Sequence, residues 1–478
     1  MEIVDHQNTK IVATVGPASS SYENLLELIK AGVDIFRLNF SHGSHEDHQK
    51  VINNILYINE KYGTHVGILA DLQGPKLRVG KMEGEGIPLN AGDIIKFTNE
   101  ERIGTKEGGV YMSYPQFATD VKVGEKVLVD DGKLQFEVVE TDGESVVKLK
   151  TLFGGILKDR KGVNLPNTKI SLPSLTEKDL RDLEYILTQP VNWIALSFVR
   201  AAKDVRDLRA RIEAAGHPAK IISKIEKPEA VERIDKIIKH SNAIMVARGD
   251  LGIEVPIERL PVIQKAIIRK CIQRARPVIV ATQMMDSMIT APTPTRAEVT
   301  DVANAVLDGA DAVMLSGETS VGAHPVKVVE AMNRIITEAE REYDRMAKQP
   351  IPSPKSRTYL SDVICLGAAS AASEIGARAI AAMTTSGYTA FKVSSFRPKS
   401  RIFIFSDQVH MLGTLNLVWG VRTFYYDKFN STDQTIIDVM EILKKARRVQ
   451  IGDRMINIGS MPLHKRYRAN MLKITIVD

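Results

Sequence analysis

Cysteine is nearly missing from this chain. Its 478 residues include two, Cys271 and Cys365, too few for a disulfide framework and in keeping with a reducing compartment. Both fall in apolar helical patterns, which predicts small buried hydrophobes. No apolar run opens the chain: MEIVDHQNTK is polar and leads straight into a strand-like segment, without the apolar core of an export signal. The most weakly polar stretch, Ile364 to Met383, is mostly Ala, Gly and Ser and is interrupted by Glu374 and Arg378. A buried helix and strand fit it better than a membrane span. An excess of one charge is lacking too. The 64 Lys and Arg against 58 Asp and Glu leave +6, spread along the chain. That helps draw anionic metabolites and calls for neither nucleic acid nor a membrane. No His/Cys cluster has zinc spacing, and heptads and low-complexity tracts are missing. What remains, 44% hydrophobic and 26% charged residues, is ordinary for a soluble globular protein. At about 150 residues per domain, it predicts about three domains.

Short, nearly continuous apolar runs recur, each followed by an amphipathic helical pattern. They are KIVATVG, DIFRLNFS, HVGILADL, WIALSFV, KIISKI, AIMVARG, PVIVATQ and AVMLS. Such runs suit parallel strands covered by helices. The helical partners include YENLLELIKAG, with Leu25, Leu28 and Ile29 on one face and Gly32 as a stop, and PEAVERIDKIIKHS. Eight strand–helix units predict a (β/α)8 barrel over residues 1–74 and 171–345; an open doubly wound sheet is the alternative. Between the third strand and its helix, residues 75–170 change texture. Strand-like EKVLVD and SVVKLKTL alternate with turns such as DDG and TDGE, which predicts a small all-β insertion. Inserted at the carboxyl end of a barrel strand, it overhangs the face where such barrels act; a lid is the functional reading and a passive decoration the alternative. After the linker QPIPSPKS, residues 355–478 alternate helix and strand again, as an open-sheet α/β domain.

Polar residues stand at the carboxyl end of nearly every barrel strand: Arg37, Asn39, Ser41 and His42; Asp71; Lys224 and Glu226; Arg248 and Asp250; Thr282 and Gln283; Ser316 and Glu318. Singly each could be a satisfied buried polar group; their clustering predicts a site. In SKIE, Lys224 and Glu226 are two apart and share a face of their strand. A salt bridge between them is the plain reading. A divalent metal on Glu226 and Asp250, beside a phosphate neutralised by Lys224 and Arg37, is the functional one. Two carboxylates with room for water and phosphate suit Mg2+. Gly249 and Gly252 flank Asp250 in a turn leading into a short helix-like piece, whose backbone N–H groups suit a substrate carboxylate.

The strings KIVATVGPAS, FRLNFSHG, ADLQGPKLRVG, RKGVNLP, ISKIE, MVARGDLG, ATQMMDSM, PTRAEVTDVANAVLDGADAVMLSGET and TTSGYTA, in this order along nearly the whole chain, resemble those of the pyruvate kinases. The resemblance implies a cytoplasmic, homotetrameric phosphotransferase that moves the phosphoryl group of phosphoenolpyruvate onto ADP. It implies that Arg37 and Lys224 bind and neutralise that group, that Glu226 and Asp250 hold Mg2+ (with Mn2+ able to substitute), and that Gly249, Asp250 and Thr282 hold carboxylate and enolate. It also implies that Asn39, His42, Arg78 and Lys161 contact nucleotide or the transferring phosphate. A metal-dependent lyase or aldolase on a similar barrel is the competing reading; it needs the same carboxylates but no nucleotide-contacting lid.

Two departures from the family pattern carry expectations. Where K+-requiring members have DTKGPEIRTG, this chain has DLQGPKLRVG, with Leu72, Gln73, Lys76 and Val79 changed together. Asn39, Ser41 and Asp71 remain in that monovalent-cation region. The Lys76 ammonium can supply the positive charge that K+ would, so K+ is expected not to be required. In the carboxy-terminal domain, Thr384, Thr385, Ser386, Gly387 and Thr389 match the loop the family uses for sugar-phosphate effectors. Thr385 replaces a lysine found in fructose-bisphosphate-responsive members, and MPLHKRYRAN, with Lys465, Arg466 and Arg468, replaces the final glycine-rich loop.

Overall fold

A computed structural model describes residues 7–342, 350–428, 431–461 and 468–478. Eight parallel strands close into a barrel: Lys10–Thr14, Ile35–Asn39, Gly67–Asp71, Trp193–Leu196, Lys220–Ile225, Ala243–Ala247, Val278–Ala281 and Ala312–Leu315. All eight lie where the apolar runs predict them. The first strand pairs with both the second and the eighth, which removes the open sheet as an alternative. Small and branched side chains such as Val12, Ala195, Ile222 and Ile279 fill the interior around Trp193, so the barrel is a packed core.

The covering helices follow from local signals. In Tyr22–Ala31 the Ser21 hydroxyl accepts from Asn24 N, Leu25, Leu28 and Ile29 are buried, and Gly32 ends the helix at φ 115. The segment PEAVERIDKIIKHS departs from the single expected helix. It breaks at Arg233 into Pro228–Glu232 and Ile234–His240, because Arg233 leaves helical geometry at φ −102, ψ 15. Both cysteines are buried.

The insertion forms a six-stranded and a two-stranded sheet. Its core holds Phe97, Phe117 and Phe136, and one helical turn, Phe117–Asp120, interrupts the β texture. The chain leaves the barrel through Gly74, at φ 70. A Cβ there would lie 2.8 Å from Phe198 Cδ2 and 2.9 Å from Ser197 Cβ, so only glycine fits this exit.

The carboxy-terminal domain is an open five-stranded sheet whose last strand, Met471–Ile476, runs antiparallel to Arg454–Gly459. It docks on the amino-terminal floor of the barrel. Lys10 Nζ donates to Val421 O at 2.8 Å, Trp193 Nε1 to Thr414 O at 3.1 Å, and Arg397 Nη1 to Asp311 Oδ1 at 3.1 Å. The opposite, carboxyl face of the barrel is left to the lid. Among the described residues, no helix is long and apolar enough to cross a membrane.

Candidate active site

At the carboxyl mouth, strands two, three and five bring Arg37, Asp71, Lys224 and Glu226 together. Arg37 donates from Nε to Asp71 Oδ2 at 2.7 Å and from Nη1 to Thr14 Oγ1 at 2.9 Å. Lys224 Nζ lies 3.0 Å from Glu226 Oε1 and 3.5 Å from Asp71 Oδ1, and donates to Ser197 Oγ at 2.8 Å. Ser197 Oγ in turn donates to Leu72 O at 2.7 Å. The salt bridge between Lys224 and Glu226 is therefore real, but it is one edge of a larger array.

With Asp250 acting on Lys224 and Glu226, three carboxylates face two cations, which leaves a charge for another cation. Burial pushes the Lys224 ammonium down, but the Asp71 and Glu226 carboxylates more than offset it and carry its pKa up to about 12. Lys224 thus stays charged. Burial pushes the Glu226 carboxyl above the usual range; Lys224 pulls it back and the Asp250 carboxylate raises it again. Glu226 Oε2 accepts from Phe198 N at 2.6 Å, while Oε1, though close to Lys224, has no aligned hydrogen-bond donor. Asp71 Oδ1 is in the same condition. A buried carboxylate oxygen left open beside a second carboxylate is a donor set that fits a hard divalent cation completed by water and phosphate. Among the described residues no group of three or more acidic, His or Cys side chains could hold a metal.

Thr282 and Gln283 follow the seventh strand at φ 70 and 53. A β-branched residue in this region is strained. It is held there: Thr282 Oγ1 accepts from Gly249 N at 2.7 Å and donates to Ala281 O at 2.5 Å, and Arg248 Nη2 donates to Thr282 O at 2.8 Å. Gly249 and Asp250 sit in the first turn of the helix Arg248–Glu254, the short helical piece expected there. The Gly249 N–H is already committed to Thr282, because a seven-residue helix packed on the neighbouring strand brings it within reach. Glu318, another strand-end candidate, is satisfied by the backbone N–H groups of Met285 and Ser316.

The nucleotide candidates lie around the rim. Asn39 Oδ1 accepts from Ser41 N, and His42 is exposed with its carbonyl bonded to His48. Arg78 and Lys161 are brought together within the lid, where Arg78 bridges Gly162. Arg78 Nη1 donates to Arg160 O at 3.0 Å, and Lys161 pairs with Asp130 at 2.9 Å. Lys76 is exposed and lines the cleft that also reaches Asp250. Leu72, placed in the monovalent-cation region by sequence, packs between the barrel wall and its covering helices at 1% exposure, because strand alternation turns it away from Asp71.

In the carboxy-terminal domain, Thr384, Thr385, Ser386 and Thr389 line a cleft with Asp407 and Arg468. Gly387 turns the chain at φ 80, and its N–H donates to Thr384 Oγ1 at 2.9 Å. Lys465 and Arg466 lie outside the described residues.

Sequence reasoning missed the groups that position the charges: Thr14 and Ser197 as partners of Arg37 and Lys224, and Phe198, at φ 52, as the donor to Glu226. Thr14 and Ser197 end barrel strands, which was a usable signal. Nothing local marks Phe198.

A closed barrel with opposed charges at its mouth and a β lid above them is the frame of a phosphotransferase. The description "Pyruvate kinase, barrel domain" matches residues 6–329, and "Pyruvate kinase, alpha/beta domain" matches residues 362–475. A pyruvate kinase of Corynebacterium glutamicum is 42% identical over 98% of this chain and 98% of its own. One of Geobacillus stearothermophilus is 40% identical over 99% of this chain and 81% of its own. A crystal structure of a pyruvate kinase from Cryptosporidium parvum superposes with a TM-score of 0.93 at 35% identity, covering 99% of this chain and 97% of that one. The chain belongs to the pyruvate kinase family.

Proposed function

We propose that this chain moves the phosphoryl group of phosphoenolpyruvate onto ADP, giving pyruvate and ATP, with the mouth array as its active site. The observation that carries the reading is Lys224, held charged between Asp71 and Glu226 and opposite Arg37. The bond from phosphorus to the enol oxygen breaks and one to a β-phosphate oxygen of ADP forms; the enolate left behind takes a proton from solvent at its methylene carbon and becomes pyruvate. Such a transfer is mostly positioning and charge neutralisation. Arg37 and Lys224 neutralise the phosphoryl oxygens. Thr282 and the first turn of Arg248–Glu254 face the carboxylate and enolate. Glu226 and Asp250 would hold Mg2+, with Mn2+ as a substitute; bound there, the ion would supply positive charge against the phosphoryl oxygens. Arg78 and Lys161 on the lid, with Asn39 and His42 on the rim, contact the nucleotide and exclude water.

The reading extends to cofactor and regulation. Lys76 stands on the rim of the cleft that reaches Asp250; its ammonium replaces the charge of a monovalent cation, so the enzyme works without K+. Residues 384–389 cradle a sugar-phosphate effector. The chain assembles as a homotetramer in the cytoplasm, and sizing by light scattering checks the assembly. A coupled assay with Mg2+ checks the reaction: pyruvate forms from phosphoenolpyruvate only when ADP is present. Pyruvate formed without ADP would favour a lyase.

A further inference from the structure

The lid meets the barrel at a buried polar contact that none of the roles above uses. Glu254 ends the helix Arg248–Glu254 that carries Asp250. Its Oε1 accepts from Lys227 Nζ at 2.6 Å and from Asn164 Nδ2 at 2.9 Å. These groups come from three places. Lys227 follows Glu226 at the end of the fifth barrel strand, and Asn164 lies on the edge strand Val163–Asn164 of the lid. All three are buried: Asn164 is 8%, Lys227 6% and Glu254 4% exposed. Glu254 Oε2 is buried with no hydrogen-bond partner. Lys227 Nζ also lies 6.0 Å from the ring centre of Phe198, the residue whose N–H orients Glu226.

The chemistry of this contact is selective. A buried carboxylate keeps its charge only while paired and hydrogen-bonded. Lys227 supplies the charge from the barrel side, and Asn164 supplies the hydrogen bond from the lid. An apolar seat would hold the lid in several registers; one amide donor on one carboxylate oxygen fixes a single register. The strand so fixed is the continuation of the segment that carries Lys161 and bridges Arg78. The helix so fixed carries Asp250 in its first turn.

We propose that Asn164, Glu254 and Lys227 form a latch, as positioning residues that seat the lid in one register on the helix holding Asp250. Lid seating and the placement of Asp250 and Glu226 are then set by the same contact. The second half rests on the reading of those two carboxylates as the metal site; the latch itself does not.

The test uses the full-length chain and two readouts that need no turnover, amide hydrogen exchange of the lid and Mn2+ binding followed by electron paramagnetic resonance. Asn164→Asp is nearly isosteric and sets a second carboxylate against Glu254. Exchange in Lys126–Val129 and Val163–Asn164 should quicken about tenfold or more, and the KM for ADP should rise more than kcat falls. Adding Glu254→Gln removes the repulsion and should restore slow exchange. Parent-like exchange in Asn164→Asp, or fast exchange that Glu254→Gln does not rescue, overturns the latch. Lys227→Met paired with Glu254→Gln leaves no buried charge unpaired and keeps an amide for Asn164. It should weaken Mn2+ binding by about 10- to 100-fold, as loss of an orienting shell does. Unchanged Mn2+ affinity overturns the link to the carboxylates, whether or not the chain turns over substrate.

Discussion

The barrel mouth and the cleft of the carboxy-terminal sheet are built from opposite materials. At the mouth, two cations and two carboxylates are interlocked, with Asp71 at 1% and Glu226 at 0% exposure and Lys224 partly buried. The cleft at residues 384–389 is lined by hydroxyls such as Thr384 and Ser386 and by apolar Ile436, Val439 and Ile458, with Asp407 and Arg468 as its charged members. Arg468 there lies 5.6 Å from the Tyr388 ring centre and donates to Arg357 O. Buried charge is tolerated only where partners and ligand complete it, so each member of the mouth array depends on the others. A cleft of hydroxyls and apolar side chains gives up little when empty and gains modestly when filled. Loss of one mouth charge should therefore cost far more than any change at the cleft.

The sharpest break of this comparison is Lys224→Met. Losing a group aimed at developing charge raises the barrier by roughly 3–4 kcal/mol, about 10²- to 10³-fold in turnover. Phosphoenolpyruvate should still bind, as equilibrium titration would show; near-normal turnover would remove Lys224 from the chemistry. Next in size is Lys76→Glu. The parent should run in K+-free buffer, with a bulky organic cation holding ionic strength. The variant should lose the roughly 1.5–3 kcal/mol of a charge-assisted contact and regain part of it when K+ is added. Strong activation of the parent by K+ would refute the substitution of one charge by another. The smallest effect belongs to the cleft. A sugar phosphate at about three times its Kd adds roughly 0.8 kcal/mol of stability, a rise of about 1–2 °C in Tm. A panel of sugar phosphates that shifts neither Tm nor activation curves removes the effector reading.

The two regions also differ in how far the sequence exposes them. Strand-end residues of a parallel barrel are marked by period and position, so Arg37, Lys224 and Glu226 could be placed at one mouth before the structure was known. Closure itself could not be read from the eight runs; it rests on pairing of the first strand with the eighth, some 300 residues on. Groups that position rather than react were harder to see. Lys227 and Glu254 are 27 residues apart, and Asn164 is 90 from Glu254, so only folding brings them together. Backbone strain at Thr282 and Phe198 leaves no trace in residue type. The cleft loop was recognisable as a string, but the basic residues beside it, Lys465 and Arg466, lie outside the described residues.

The central claim is transfer of a phosphoryl group at the barrel mouth, and its most direct measurement follows the phosphorus itself. Phosphoenolpyruvate labelled with radioactive phosphorus is mixed with the full-length chain, ADP and Mg2+ in K+-free buffer, quenched, and the products are separated. The account predicts label in the γ-phosphate of ATP, equal in amount to the pyruvate formed, and loss of that label with Lys224→Met. Label appearing as inorganic phosphate, or pyruvate forming without labelled ATP, would contradict it.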